Sequence, residues 1–143
     1  MAWGKNEDDE NCVKLKENLE NNIVLAIKSG YQIFLCGMAE GFDTMCAEAV
    51  IKLKKAYPYI KLVCVFPYKR NIDKNLRLNN IVNNSNQIIF LNEKYYHGCM
   101  FERNRYMVNN SSRVIAYFNG TSGGTKYTVD FAKNNNLEVV NLY

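Results

Sequence analysis

Two glycine-containing segments are the parts of this chain best suited to bind a ligand, and each lies between an apolar run and a helical pattern. The first is GMAEGFD, residues 37–43. Glycines at such a corner let the backbone approach a ligand closely, and the free amides and the dipole of the following helix attract a phosphate. Asp43 is either the helix N-cap or an acceptor for a ribose hydroxyl. The other residues predicted to contact an anion here are Gly37, Met38, Ala39 and Gly41.

The second segment is NGTSGGT, residues 119–125, which follows an apolar run and precedes another helical pattern. Three glycines and three hydroxyl side chains at a strand-to-helix corner bring amides and hydroxyls together where the helix dipole is positive. The alternative is a tight glycine-rich turn with Thr125 as the helix cap. The residues predicted to bind a phosphate are Asn119, Gly120, Ser122, Gly123, Gly124 and Thr125.

Between these loops, Arg103 lies one turn beyond Cys99 on a predicted helix, where its guanidinium could fork onto a carboxylate or phosphate. The alternative is an exposed arginine in a surface salt bridge. Its neighbour Asn104 is included in the predicted site. Pro67 and Tyr68, at the end of another predicted strand, could supply an aromatic wall for a base, although Tyr68 could equally pack on its own loop.

The elements that would position these loops alternate between strand and helix. An apolar stripe at three- and four-residue spacing predicts a helix from residue 8 or 9 to residue 29. Short apolar runs predict five strands, at residues 31–36, 60–66, 87–91, 113–118 and 137–142. Helical patterns separate them, at residues 44–55, 76–84, 99–109 and 125–134. This pattern is typical of an α/β fold with an open, mostly parallel sheet of about five strands and helices on both faces.

Composition predicts one globular domain over residues 1–143. Apolar residues make up 48% and charged residues 22%, which excludes disordered and collagen-like chains, and no apolar run is long enough to span a membrane. The acidic N-terminus argues against a signal peptide, so we expect a cytoplasmic protein without a membrane partner. The net charge of +4 is only weak evidence for nucleic acid. Five scattered cysteines and one histidine predict core thiols and no metal site.

Three segments carry a resemblance to a known family: GMAEGFDTMCAEAVIKLKKAYPYIKL, YYHGCMFERNRYMV and NGTSGGTKYTVDFA. In order and spacing they resemble the YpsA-like branch of the SLOG superfamily, whose relatives include DNA-processing protein A and LOG-type phosphoribohydrolases. The resemblance implies a Rossmann-like fold. It also implies a pocket for a nucleotide-derived molecule, such as an ADP-ribose-like ligand, built from both glycine loops and the Arg103 helix.

The chain departs from this family at its start. YpsA-like proteins usually open with a strand that ends in a Gly-His-Arg-Pro-like motif, and this sequence begins just after that point, at Ala2-Trp3-Gly4. In the superfamily that strand lies inside the sheet. Its absence is expected to remove a strand and one loop of the pocket, leaving an edge that a second subunit could cover. We therefore expect a homo-oligomer.

The second departure concerns catalysis. The resemblance to LOG-type enzymes matches their Met-x-x-Arg helix at Met100 and Arg103, but no carboxylate follows Gly124-Thr125, where those enzymes carry a glutamate. We therefore predict binding without turnover, as a sensor or a sequestering protein, and no cofactor. One alternative is a LOG-type nucleotide phosphoribohydrolase or another N-glycosidase in which a different carboxylate takes over, the candidates being Glu40, Asp43 and Glu48. Another is single-stranded DNA binding, for which the basic and aromatic residues near 68–70 and 94–96 supply only fragments of a stripe.

Overall fold

A computed structural model describes residues 9–143, in which five helices alternate with five strands. The helices are α1 (Glu10–Lys28), α2 (Phe42–Leu53), α3 (Leu76–Asn83), α4 (Cys99–Asn109) and α5 (Gly124–Asn134). The strands are β1 (Ile33–Cys36), β2 (Lys61–Phe66), β3 (Gln87–Phe90), β4 (Arg113–Ala116) and β5 (Glu138–Asn141). Every predicted element is present, and the boundaries differ by a few residues at most. The α/β class and the Rossmann-like arrangement are therefore confirmed.

The strands form two small sheets instead of the single sheet expected from the sequence. β1, β2 and β3 pair side by side in parallel, and β4 pairs in parallel with β5. Among the described residues no strand lies between β1 and β4, so the backbone ladder is interrupted there. The expectation of one continuous sheet is corrected on this point.

Helix α1 buries the apolar stripe from which it was predicted. Asp9 caps the helix, its side chain accepting the Asn11 amide at 2.8 Å. Residues on one stripe are buried, including Leu15, Leu19 and Ile23, and they face the core beside α2. The helix ends at Lys28 with Ser29 as its C-cap, and Gly30 follows with a φ of 101°, a left-handed conformation that favours glycine.

The core is centred on β2, the middle strand of the three-stranded sheet. From Leu62 to Phe66 every residue of this strand is buried, and the Phe66 ring stacks on Phe90 at 5.3 Å between centroids. Each fully buried aliphatic or aromatic side chain contributes about 1.5–3 kcal/mol. All five cysteines are free, and four of them are buried. Within residues 9–143, no helix has the length and apolar character needed to cross a membrane.

Candidate functional site

A cavity of about 840 Å³ opens beyond the carboxyl ends of β1 and β4. Its volume falls within the range of about 300–1,000 Å³ that is typical of small-molecule pockets. Both glycine loops line it, so Gly37 and Gly124 share one hollow. The structure brings ten of the predicted site residues together there: Gly37, Ala39, Asp43, Arg103, Asn104, Asn119, Ser122, Gly123, Gly124 and Thr125.

The remaining predicted residues lie outside the cavity lining: Met38, Gly41, Pro67, Tyr68 and Gly120. Met38 is buried in the core, and Gly41 is the N-cap of α2. The Tyr68 ring contacts Tyr95, with the centroids 5.6 Å apart, so it packs on a neighbouring loop. The aromatic surface of the cavity comes from other residues.

Phe42, Tyr117 and Phe118 line the cavity and supply that aromatic surface. The rings of Phe42 and Tyr117 stack with 5.9 Å between centroids. Each adjoins a predicted loop, one at the end of the first glycine segment and the other just before the second. No sequence pattern favours Phe42 and Tyr117 over Tyr68, because contact between distant loops depends on how the strands are placed.

The first glycine loop approaches α4 so closely that a side chain at position 37 would crowd its neighbours. A Cβ added to Gly37 would lie 3.0 Å from Asp43 Oδ2, 3.0 Å from Met107 Cε and 3.1 Å from Arg103 Cδ. Contacts this short are tighter than nine in ten real Cβ contacts, so these side chains would have to shift by a few tenths of an ångström. The absence of a side chain at Gly37 therefore allows this close packing, whatever Gly37 contributes to a ligand.

Arg103 forms part of the cavity wall and holds this loop in place. It is 8% exposed, its Nη1 donates to the Gly37 carbonyl oxygen at 2.7 Å, and its Nε donates to Asn104 Oδ1 at 3.1 Å. The alternative of an exposed, salt-bridging arginine is wrong. Burial lowers the pKa of Arg103, and the nearby Asp43 carboxylate opposes that shift.

Asp43 lies in the first turn of α2, one residue beyond its start, so the N-cap interpretation is wrong. The N-cap is Gly41, and the Asp43 carboxylate instead accepts the Ala39 amide at 3.2 Å. Burial raises the pKa of Asp43, while the Arg103 charge and the Ala39 amide act in the opposite direction. This carboxyl group therefore gains a proton more readily than an exposed aspartate.

The second glycine loop is shaped by two asparagines. Asn119 Oδ1 accepts both the Thr121 amide, at 3.0 Å, and the Thr121 hydroxyl, at 2.7 Å. Asn141 makes a two-point contact with the backbone of Phe118: its Oδ1 accepts the amide and its Nδ2 donates to the carbonyl, each at 2.9 Å. These bonds extend the β4–β5 pairing and fix the start of the loop.

Helix α5 begins at Gly124 with Gly123 as its N-cap, so Thr125 is not the cap. The Gly123 φ of 143° is a conformation that side chains rarely adopt. No side chain caps this helix. The first amides of an α-helix have no partner within it, so the amides of Gly124 and Thr125 are available to a ligand.

Two uncapped helix starts therefore point at one cavity. α2 and α5 both begin after a glycine and have no side-chain cap, and the residues at both starts line the cavity. α1 and α3 are capped by Asp9 and Asn75, whereas α4 also starts after a glycine without a side-chain cap, but its first residue, Cys99, does not line the cavity. Unpaired amides and positive dipole ends make the start of a helix an anion site. Two of them facing the same hollow suit an extended ligand with more than one polar group.

The other carboxylates near the site have different environments. Glu48 is held by Arg77, whose Nη2 and Nε lie 2.6 Å and 3.0 Å from its two oxygens, and it does not line the cavity. Glu40 is exposed and lines the cavity. Thr121 and Thr128 also line the cavity; neither is among the predicted site residues, although both lie within or beside the second glycine segment. Over residues 9–143 we find no cluster of three or more histidine, cysteine or acidic side chains able to hold a metal.

One family model and several known proteins match most of this chain. The model of the YspA SLOG family matches residues 5–141. The uncharacterized SPbeta prophage-derived protein YoqJ of Bacillus subtilis is 27% identical over 139 residues, which cover 85% of this chain and 81% of YoqJ. A UPF0398 protein of Brevibacillus brevis is 22% identical and covers 84% of this chain and 68% of the relative. A UPF0398 protein of Halalkalibacterium halodurans is 25% identical, with coverages of 83% and 67%.

Proposed function

Because this chain belongs to the YspA SLOG family, we propose that it binds a nucleotide-derived anion between its two glycine loops and senses or sequesters that ligand without converting it. The observation that carries the proposal is the pair of uncapped helix starts, α2 and α5, lining one cavity of about 840 Å³. An ADP-ribose-like molecule or a signalling nucleotide has the phosphates, hydroxyls and aromatic base that such a cavity can accommodate.

The phosphates are assigned to the start of α5. No acidic residue lies among residues 119–129, and the Ser122 and Thr125 hydroxyls have no hydrogen-bond partner among the described residues. Amides and hydroxyls without a negative charge beside them favour a phosphate.

The sugar and base are assigned to the α2 side of the cavity. Asp43 can accept a ribose hydroxyl there, and the stacked pair Phe42 and Tyr117 offers an aromatic face for a base. Arg103 adds positive charge from the cavity wall, while its bond to the Gly37 carbonyl keeps the first loop in position. Each loop thus contacts a different part of the ligand.

Binding without turnover is favoured because one expected carboxylate is absent from the second glycine loop and another is held in an ion pair. Lys126 and Tyr127 follow Thr125, so the start of α5 has no acid, and Glu48 is paired with Arg77. Cleavage of an N-glycosidic bond benefits from a carboxylate that stabilises the developing charge or activates water. Asp43 is the one partly buried carboxylate that lines the cavity among the described residues, and burial raises its pKa.

Isothermal titration calorimetry against ADP-ribose, NAD, cyclic ADP-ribose isomers and cyclic dinucleotides tests the proposal. Ser122→Asp adds a negative charge at the phosphate position, and Ser122→Asn is the matched control of similar size without that charge. We expect the aspartate variant to bind at least about tenfold more weakly, since a charge-assisted contact contributes roughly 1.5–3 kcal/mol, and the asparagine variant to change little. Absence of binding to every compound by the folded wild-type chain would refute the proposal.

Chromatography of the same mixtures separates binding from hydrolysis. We expect the nucleotides to be recovered intact. Release of free base by the wild type that is lost in Asp43→Asn would instead establish the N-glycosidase alternative, with Asp43 as the acting carboxylate.

A further inference from the structure

The cavity between the glycine loops contains a buried side-chain donor that has no acceptor. Asn104 is 8% exposed and lines the cavity. Its Oδ1 accepts the Arg103 Nε–H at 3.1 Å, and because a guanidinium only donates, this bond fixes the amide with Nδ2 on the opposite side. Within residues 9–143, no hydrogen bond is found from Nδ2. Buried polar groups nearly always have a partner, so this donor points to one that the described chain does not supply.

The free donor lies beside the start of α5. A Cβ placed on Gly124 would lie 3.8 Å from Asn104 Nδ2, so this group and the first amides of α5 border the same part of the cavity. All of them donate hydrogen bonds, and the helix dipole is positive here. The complementary group is an oxygen of an anion.

The charged side chains around this cavity offset one another. Within the described chain, two arginines and two carboxylates line it: Arg103, Arg113, Glu40 and Asp43. Arg113 is already bonded to Glu138 at 3.1 Å, and Arg103 donates to the Gly37 carbonyl. The side chains therefore supply no net positive charge to a ligand.

The positive potential of the second glycine loop comes from its backbone. Lys126 is the one charged residue among residues 119–129, and its ammonium group is paired with Asp130 one turn further along α5. The start of a helix is equivalent to about half an elementary charge, so α2 and α5 together offset about one negative charge. A ligand with a larger local charge would be only partly neutralised.

The charge of a phosphate depends on how many of its oxygens are esterified. A phosphodiester carries a single negative charge, as does each phosphate of a diphosphate that is substituted at both ends. A terminal phosphomonoester carries about −1.5 to −2 at pH 7, because its second pKa is about 6. The start of α5 is thus matched to a singly charged phosphate.

We infer that the site selects nucleotides whose phosphates are all esterified or bridged, over those that end in a phosphomonoester, and that Asn104 Nδ2 donates to a phosphate oxygen at the start of α5. This inference rests on the proposed function and names the class of ligand within it. Asn104 contributes specificity because an amide donates without adding the charge that a phosphomonoester needs.

Calorimetry with ADP-ribose and ADP tests the selectivity. Both contain adenosine diphosphate, which is substituted at both ends in ADP-ribose and ends in a phosphomonoester in ADP. We expect ADP-ribose to bind at least about tenfold more tightly at about pH 7.5. Between about pH 5.5 and 7.5 the ADP affinity should fall at least about fivefold more than the ADP-ribose affinity, because only ADP loses a phosphate proton. Titration of Asp43 or Glu40 acts on both ligands and cancels in this comparison.

The outcomes separate this inference from the proposed function. Equal affinities of ADP and ADP-ribose, or equal pH dependence, would overturn the selectivity and leave the proposed function in place. If neither binds, cyclic di-AMP and its linear form with a terminal 5′-phosphate make the same comparison. Absence of binding to every nucleotide would overturn both.

Asn104→Asp tests the assigned donor. Aspartate keeps an acceptor for Arg103 Nε but replaces the Nδ2 donor with an oxygen, so a purely structural role would leave binding unchanged. We expect ADP-ribose to bind at least about tenfold more weakly. Asn109→Asp adds the same charge at an exposed position of α4 outside the cavity lining and should change the affinity less than about twofold. Wild-type affinity in a folded Asn104→Asp variant would overturn the assignment.

Ser122→Lys tests the charge argument at the protein surface, where folding is not at risk. Ser122 is exposed in the second glycine loop, and lysine adds a full positive charge there. We expect the ADP affinity at about pH 7.5 to rise at least about fivefold more than the ADP-ribose affinity, since ADP carries the larger negative charge. An equal gain for both ligands would overturn the inference.

Discussion

Substituting Gly37 by alanine should destabilise the protein, because the added methyl group would crowd three neighbouring side chains. It would lie 3.0 Å from Asp43 Oδ2 and from Met107 Cε, and 3.1 Å from Arg103 Cδ. The Met107 methyl group can rotate away, but Arg103 is held by its bond to the Gly37 carbonyl and Asp43 by its bond to Ala39. Overpacking of this kind costs about 1–3 kcal/mol, so we expect Gly37→Ala to lower the free energy of unfolding by that amount.

Gly124→Ala is the matched control, because Gly124 lines the same cavity from the other loop. A Cβ at Gly124 would meet only Asn104 Nδ2, at 3.8 Å, which is an ordinary contact. Alanine is favoured over glycine inside a helix, so this variant should be as stable as the wild type or more stable by up to about 1 kcal/mol. Urea denaturation of both variants gives the comparison.

A double-mutant cycle assigns the cause. If the Met107 methyl group is part of the clash, Met107→Ala should relieve some of the cost of Gly37→Ala, with a coupling energy of about 0.5 kcal/mol or more. Equal stability of Gly37→Ala and Gly124→Ala would refute the claim that the first loop is packed against α4.

Three further predictions concern single side chains. Burial raises the pKa of Asp43, so the folded state holds this proton to higher pH than the unfolded state, and the free energy of unfolding should fall as the pH rises from about 4 through the raised pKa. The fall should be smaller in Asp43→Asn. Urea denaturation across this pH range measures both, and equal pH profiles would contradict the prediction. Asn141→Ala should lower the free energy of unfolding by about 1–2 kcal/mol through loss of both bonds to Phe118, with Asn141→Asp, which keeps the acceptor, less affected. Glu48→Gln should cost at most about 1 kcal/mol, since its pair with Arg77 is partly exposed, and the cost should shrink in high salt; a loss that salt does not change would point to packing instead.

The sequence alone determined the secondary structure, the α/β class and the family. Apolar spacing located α1, and short apolar runs located all five strands, because burial of one face imposes a period on each element. The three segments that resemble the YpsA-like branch of the SLOG superfamily lie inside the region that the family model matches, so that resemblance is confirmed. Both glycine loops were also found from sequence, since glycine at a strand-to-helix corner is a local feature.

Tertiary structure decided the environment of each side chain in those loops. Arg103 is buried and holds the first loop, and Asp43 accepts an amide instead of capping its helix. The aromatic wall of the cavity comes from Phe42, Tyr117 and Phe118. These outcomes depend on contacts between residues far apart in the chain, such as the 66 positions that separate Arg103 from Gly37. The division of the strands into two sheets likewise depends on which strands pair with each other. Local periodicity specifies that a strand forms, but backbone hydrogen bonds to another strand specify where it lies.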